Sequence, residues 1–526
     1  MKNIYKYVLA SLMVINFASC TDDFEKINTD PNGITEESLT QMNNNVGNEF
    51  PPMFLNVFNV TPAWNYQLQQ GLMGDVFSGY MTAPTPFAGN VNNQTYALVD
   101  GWNTFPWNNA YGSVMPQALN VKNAVELGGD PNGIKFVHLA NIIKVTAMHR
   151  VADIYGPIRY TKFNDFETTG EYDAQDVAYK AFFEDLTTAI DGLEAYEGDV
   201  QFVPFDMSNL AGDIAAWRQF ANSIRLRLAI RISKVDPALA KTQGELALSA
   251  SSPGLMEDSD MVINTGFPHP ITVISGSWGD VRMGAEMESI LTGYDDGRID
   301  TYFNPSADES LAGDYKGIRM GIDITAKSEY GDHASIGSVI DGETLTWLTA
   351  AEVHFLKAEA ALRGWAGAGD AKANYEAGVT ASFAQHGVSG ISDYLADATS
   401  TPADFVDALN DTNDIAYGSD VKIAFNDAGS NEEKLEQIIT QKWIAMFPDG
   451  QEAWSEFRRT GYPKLFPVVV NNSGGTIDTN IQVRRINFVE SERNTNSANV
   501  ETAIGYLGGP DNGGTRLWWD TGAANF

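Results

Sequence analysis

Cysteine is almost absent: Cys20 stands alone among 526 residues. No intrachain disulfide can form, so the chain is not a stapled secreted scaffold. Basic residues are also scarce, with 34 Lys and Arg against 68 Asp and Glu, a formal net charge of −34. A surface that negative repels phosphate backbones and anionic headgroups, which argues against nucleic acid as a partner. No hydrophobic run reaches the roughly 20 residues a spanning helix needs; the longest late one, Phe466-Pro-Val-Val-Val470, falls far short. Catalytic signatures are missing too. The six histidines (His138, His149, His269, His333, His354, His386) form no His-Glu-x-x-His pair, and neither a Gly-x-Ser-x-Gly elbow nor a P-loop occurs. Asp295-Asp-Gly-Arg-Ile-Asp300 opens like a calcium loop but leaves the EF-hand pattern after two positions and reads as a turn. Carboxylates are so abundant that some pair would fall at glycosidase spacing by accident, so none can be singled out. No cofactor and no metal is expected.

What is present begins at the N-terminus. Lys2 and Lys6 precede an apolar run from Tyr7 to Phe17, and small Ala18 and Ser19 lead into Cys20. A positive start, a short apolar stretch and small residues at a cut site are the layout of a secretory signal. Ala18-Ser19-Cys20 resembles the lipobox of bacterial lipoproteins, with Phe17 where leucine is usual. It implies lipidation at Cys20 after removal of residues 1–19. The mature chain of 507 residues would carry a charge of −36, enough length for two or more packed units. The polar, turn-rich segment 20–49 reads as a leash, with Asp30-Pro31-Asn32-Gly33 a type I turn signal that recurs as Asp130-Pro131-Asn132-Gly133. A helical segment is expected around 36–48.

From Phe50 to Tyr111 the composition changes. This stretch of 62 residues holds 13 aromatics, interleaved with Asn, Gln, Gly and Pro and nearly free of charge. A buried core draws heavily on Leu, Ile and Val, and this stretch does not. It reads as an aromatic-rich loop region.

Regular helices follow. Phe136, Leu139, Ala140, Ile143, Ala147, Val151 and Ile154 share one face at 3.6-residue periodicity, and Gly156-Pro157 ends the run. A second helix is expected near 174–194 on Tyr179, Phe182, Phe183, Leu186, Ile190 and Leu193, and a third over 214–235 with Trp217, Phe220, Ile224 and Leu228 at helical spacing. Arg218, Arg225, Arg227 and Arg231 on that third helix read as partners for the carboxylate excess, not as an anion site. Residues 253–345, rich in Gly, Asp and Ser, read as loops with short strands. Leu348, Ala351, Phe355, Ala358 and Leu362, a Gly-rich turn at Gly364–Gly369, and a second helix with Tyr375 and Ala377 resemble one tetratricopeptide-type hairpin. Two last helices are expected at 432–447 and 451–459. Trp217, Trp443 and Trp454 sit at helical spacing and belong to the core.

These blocks together resemble SusD/RagB-type outer-membrane lipoproteins, in the branch often described as SusD-like and starch-binding-associated. The resemblance rests on the lipobox with acids after Cys20, Trp217–Ile232, Ala351–Gly364, Gln441–Gly450, Glu452–Pro463 and Arg516–Asp520, in order over nearly the whole chain. It implies a mainly α, irregular helical body (50–526) with tetratricopeptide-like hairpins at 134–235 and 346–385, C-terminal helices at 432–460 and long ligand-binding loops. It also implies an outer-membrane position facing the cell exterior, held by the lipid alone. Asp22, Asp23 and Glu25 resemble the export signals of such lipoproteins. The implied partner is a TonB-dependent barrel of the SusC type, which the lipoprotein covers as a lid. The implied ligand is a glycan, or a peptide in some relatives; the protein would be no enzyme, with a surface glycan hydrolase and an adhesin as alternatives. Sugar faces stack on flat aromatic rings, so the candidate ligand-binding residues are Trp64, Tyr66, Tyr80, Trp102 and Trp107 in the aromatic stretch, and Trp278 in Ser275-Gly-Ser-Trp-Gly279.

Overall fold

A computed structural model describes residues 43–164, 169–311 and 313–526. The chain divides into residues 1–45 and Val46–Phe526. Cys20, the signal segment, the first Asp-Pro-Asn-Gly turn and most of the leash lie outside the described residues. Of the helix expected at 36–48 only residues from 43 on are described, and they include a short helical turn, Asn44–Gly47.

The longer helices are α1 (Phe50–Asn56), α2 (Phe105–Ser113), α3 (Met115–Gly128), α4 (Ile134–Tyr155), α5 (Gln175–Leu193), α6 (Ile214–Arg231), α7 (Pro237–Leu248), α8 (Ala285–Gly293), α9 (Ala350–Leu362), α10 (Ala371–Gln385), α11 (Asn431–Ala445), α12 (Gly450–Thr460) and α13 (Ser497–Leu507). Polar residues start several of them by accepting the backbone N–H groups a helix leaves unpaired at its first turn. Asp213 takes those of Ala215 and Ala216, Thr349 that of Glu352, and Asp370 that of Ala373; Ser430 and Glu433 form a reciprocal capping box. Helix α4 stops at Gly156, whose φ of +91° and close contact with Leu507 no side chain would tolerate.

Helices pack as antiparallel neighbours: α4 on α5, α5 on α6, α6 on α7, and α9 on α10. In the last pair the ring of Phe355 lies over Gly378, 2.9 Å from where a Cβ would stand. Among the described residues the paired strands are short and antiparallel, and Met261–Asn264 with Thr344–Leu348 is the longest pair. The segment 253–345 is mostly loops and short strands, and it also holds α8 and a π-helical turn, Thr272–Ser277.

The aromatic-rich stretch is largely helical instead of a loop. After α1 the chain forms a continuous helical run, Ala63–Tyr66, a π-helix at Gln67–Gly74 and Asp75–Phe77, then reaches α2 through irregular backbone. Eight of its aromatics, Phe50, Phe54, Phe58, Tyr66, Phe77, Tyr80, Tyr96 and Trp107, are buried. Phe54 stacks on Trp347 with ring centroids 5.6 Å apart and meets the edge of Trp217 at 5.9 Å. Trp217, Trp443 and Trp454 are buried as expected.

A network of charges runs through the same core. Arg227 clamps Glu352 through two bonds of 2.8 and 2.6 Å. Arg231 bonds Glu456 at 2.5 Å and also Glu452. Lys442 lies 3.4 Å from Glu456 and 3.6 Å from Glu352, and Arg459 grips Glu359 at 2.7 and 2.6 Å. Arg218 pairs with Glu197. The remaining arginine of α6, Arg225, bonds the Thr187 hydroxyl at 2.8 Å and feels the Asp191 charge, with no carboxylate at ion-pair distance among the described residues. Burial drives the Glu452 carboxyl up, but Arg231, Arg227 and Lys442 outweigh it and hold the group at about 2.

Candidate functional site

Trp64 and Tyr66 lie on one helical turn begun by Pro62. Two residues along an α-helix turn the side chain by about 200°, so one ring faces out and the other in. Trp64 is 47% exposed; Tyr66 is buried against His269, ring centroids 5.4 Å apart. The edge of Phe105, at the start of α2, meets Trp64 at 5.2 Å and 89°, which fixes the plane of the exposed indole.

The turn carrying Trp64 packs on the π-helical turn Thr272–Ser277, and Trp278 follows that turn directly, 39% exposed. Asp280 fastens the two together. Its carboxylate accepts from the Gln67 amide at 3.1 Å, the Thr85 hydroxyl at 2.8 Å and the Lys327 ammonium at 2.8 Å. Lys327 also donates to the Trp278 carbonyl. Thus the residue three past Trp64 and the residue two past Trp278 are bonded to each other. The loop before His269 adds Phe267, 44% exposed. The result is two exposed indoles on adjoining turns joined by a polar hub, with the exposed Phe267 on the loop that leads into the π-helical turn.

Trp102 is half-buried, edge-on to Phe87 at 5.7 Å. Next to it, Asn103 exchanges amide bonds with Asn93, which in turn donates to the Leu72 carbonyl of the π-helix at 2.9 Å. This second aromatic pair is therefore anchored to the same helical run as Trp64.

Tyr80 and Trp107 lie elsewhere. Tyr80 is enclosed by Trp443 and Phe447, at 4.8 and 5.2 Å, with its hydroxyl on the Trp443 carbonyl. Trp107 is packed between Tyr111, Tyr155 and Tyr172, at 4.4, 5.5 and 5.6 Å. With Tyr66, these are packing residues whose ring faces are covered. Beneath Tyr66 a cavity of about 70 Å³, lined among others by His269, Trp347, Glu352 and Asp449, has space for water and not for a sugar ring. Burial drives His269 down to about 3, so its imidazole is neutral.

Sequence reading missed Phe267, Asp280, Gln67 and Lys327. Phe267 stands in Gly266-Phe-Pro-His-Pro270, a turn-rich aromatic loop of the kind that singled out Trp278; the polar hub has no local signal, because its members are 213 and 47 residues apart. No cluster of three or more His, Cys, Asp or Glu side chains suited to a metal occurs among the described residues. No helix among them is long and apolar enough to cross a membrane.

A family model described as SusD-like, the SusD and RagB outer-membrane lipoproteins, matches residues 26–520. The chain belongs to the SusD-like family. Among solved structures, this SusD-like protein is similar to a chitin-binding SusD homologue from Flavobacterium johnsoniae, with 48% identity, a TM-score of 0.87, and coverage of 91% of this chain and 100% of the other. A SusD homologue from Bacteroides vulgatus is 38% identical, with a TM-score of 0.85 and coverage of 94% and 100%. A SusD-like protein from Bacteroides thetaiotaomicron is 35% identical, with a TM-score of 0.84 and coverage of 90% and 98%. No match was found among curated proteins. The family is one of outer-membrane lipoproteins, and its solved members share this helical fold.

Proposed function

We propose that this SusD-like protein is a non-enzymatic, cell-surface glycan-capture lipoprotein, tethered through Cys20, that delivers oligosaccharides to a TonB-dependent barrel of the SusC type. The ligand assigned is a β-linked N-acetylglucosamine chain of the chitin class. The observation that carries the reading is the exposed pair Trp64 and Trp278 on adjoining turns joined through Asp280. Such rings offer apolar faces to the C–H surface of a sugar while the polar hub holds their spacing. Similarity to the chitin-binding homologue, at 48% identity over its full length, supports the ligand class. Capture breaks no bond.

The test is incubation of the purified full-length protein with chitin oligosaccharides and, in parallel, with starch and peptide ligands. Binding of the chitin class without new reducing ends is the expected result. Release of reducing ends would replace the capture reading with hydrolysis. Binding of starch or peptide in its place would overturn the ligand class.

A further inference from the structure

A second recess, with no residue in common with the Trp64–Trp278 surface, opens at the C-terminal end of α12. Its volume is about 340 Å³, in the range of small-molecule sites. Six cations line it, Lys234, Arg458, Arg459, Lys464, Arg484 and Arg516, and no Asp or Glu does. In a chain with a charge of −34 this concentration is out of keeping with the rest of the molecule. Among the described residues the ion partners of the six are Glu359 and Glu456, on Arg459, and Asp520, shared by Arg484 and Arg516. Lys234, Arg458 and Lys464 have no ion-pair partner among the described residues. The buried Arg458 guanidinium is taken up by the Trp454, Asp153 and Arg484 carbonyls and the Ser455 hydroxyl, so the positive surplus of the recess rests on Lys234, Lys464 and Arg516.

Part of this charge caps a helix. Lys234 donates to the Arg459 carbonyl at 2.8 Å, and Arg484 donates to the Arg458 carbonyl at 2.5 Å; both carbonyls are left free at the end of α12. Capping does not use up the donors. Arg516 engages Asp520 through Nη1 alone, which leaves Nε and Nη2 without an acceptor among the described residues. The Lys464 ammonium makes one long hydrogen bond of 3.4 Å, to the Gly461 carbonyl, and lies 4.3 Å from the centre of the Tyr462 ring. Gly522, with φ of +65°, holds the place of its missing Cβ 3.1 Å from the Arg516 guanidinium, so a side chain there would press on this group. The field is felt by its own members: burial, then the Arg459 charge, bring Lys234 down to about 8 against the opposing pull of Asp520 and Glu432.

The geometry points to this recess as a binding site for a small ligand bearing a carboxylate, sulfate or phosphate group, of which an acidic monosaccharide fits the volume. A cationic recess walled by protein attracts an oxyanion more strongly than an open surface does. The free guanidinium and ammonium donors suit planar and tetrahedral oxyanions. Neither the family fold nor glycan capture on the Trp64–Trp278 surface requires such a site.

The experiment is calorimetric titration of the full-length protein, in a low-salt chloride buffer, with galacturonate, sulfate, phosphate and neutral galactose. Saturable binding of galacturonate, absent for galactose and weakened by salt, is expected. Binding of sulfate or phosphate alone would assign the site to a free inorganic anion and still support it. Lys464→Gln with Arg516→Gln should weaken anion binding at least tenfold and leave chitin-oligosaccharide binding unchanged; Arg516→Lys should retain most of it. Ile481, exposed at the rim, offers a variant that spares the core: Ile481→Glu should also block the anion. The assignment is overturned if none of the three anions binds saturably, if galactose binds as well as galacturonate, or if these substitutions leave the affinity unchanged.

Discussion

Trp64 and Tyr66 are two residues apart and do opposite work, which makes them a matched pair for experiment. Trp64→Ala removes an exposed ring and is expected to weaken chitin-oligosaccharide binding about tenfold, roughly 1.4 kcal/mol, with an unchanged melting temperature. Trp107→Ala empties a site between three tyrosines and is expected to cost about 3–5 kcal/mol of stability, read from denaturant unfolding, with ligand affinity per folded molecule preserved. Asp75 offers a pH test. It follows the π-helix, buried against Gly450, and burial, then the Asp449 charge, push its carboxyl up to about 8. A carboxyl raised in the folded state binds its proton more tightly there than in the unfolded chain. Its contribution therefore falls as pH rises from the ordinary value of 3.8 towards 8. Asp75→Asn is expected to raise the melting temperature at pH 8 more than at pH 5; an equal change at both would contradict the raised value.

At the scale of elements, the helices with one apolar face were legible because a 3.6-residue stripe must be buried against something. That reasoning located α4, α5, α6, α9, α10, α11 and α12. It failed between 50 and 111 for a physical reason. Aromatics, Gly, Pro and Asn together imitate a loop, whereas tertiary contacts hold Gln67–Gly74 in a wide π turn that leaves no simple period. Composition found the region, and only helical phase could divide its rings into exposed and buried. Two tests belong here. Gly378→Ala would drive a methyl into the Phe355 ring and is expected to destabilise the α9–α10 hairpin by about 1–3 kcal/mol. Arg231→Ala would take from Glu452, Glu456 and Asp153 the cation they share in the core and is expected to cost about 3–5 kcal/mol. The same network sets an acid limit. Glu452, lowered from 4.5 to about 2, contributes its stability above about pH 4.5 and loses it as pH falls towards 2, so stability should drop across that window.

For the whole molecule, the segments that carried the family resemblance meet in space. Arg227 and Arg231 come from one block, Glu352 and Glu359 from the next, Lys442 from a third, and Glu452, Glu456 and Arg459 from a fourth. They build the buried network of the helical body, while the exposed rings Trp64 and Trp278 lie on turns outside these blocks. This is why the family could be read from sequence and the ligand could not. Under the tethered-capture reading, Cys20→Ala should keep ligand binding and abolish uptake by intact cells; normal uptake would show that the tether is dispensable. The most direct measurement is calorimetric titration of the wild-type protein, Trp64→Ala and Trp278→Ala with chitohexaose. Saturable binding by the wild type, weakened about tenfold or more by each substitution, is the predicted result. No binding by the wild type, or undiminished binding by both variants, would contradict the account.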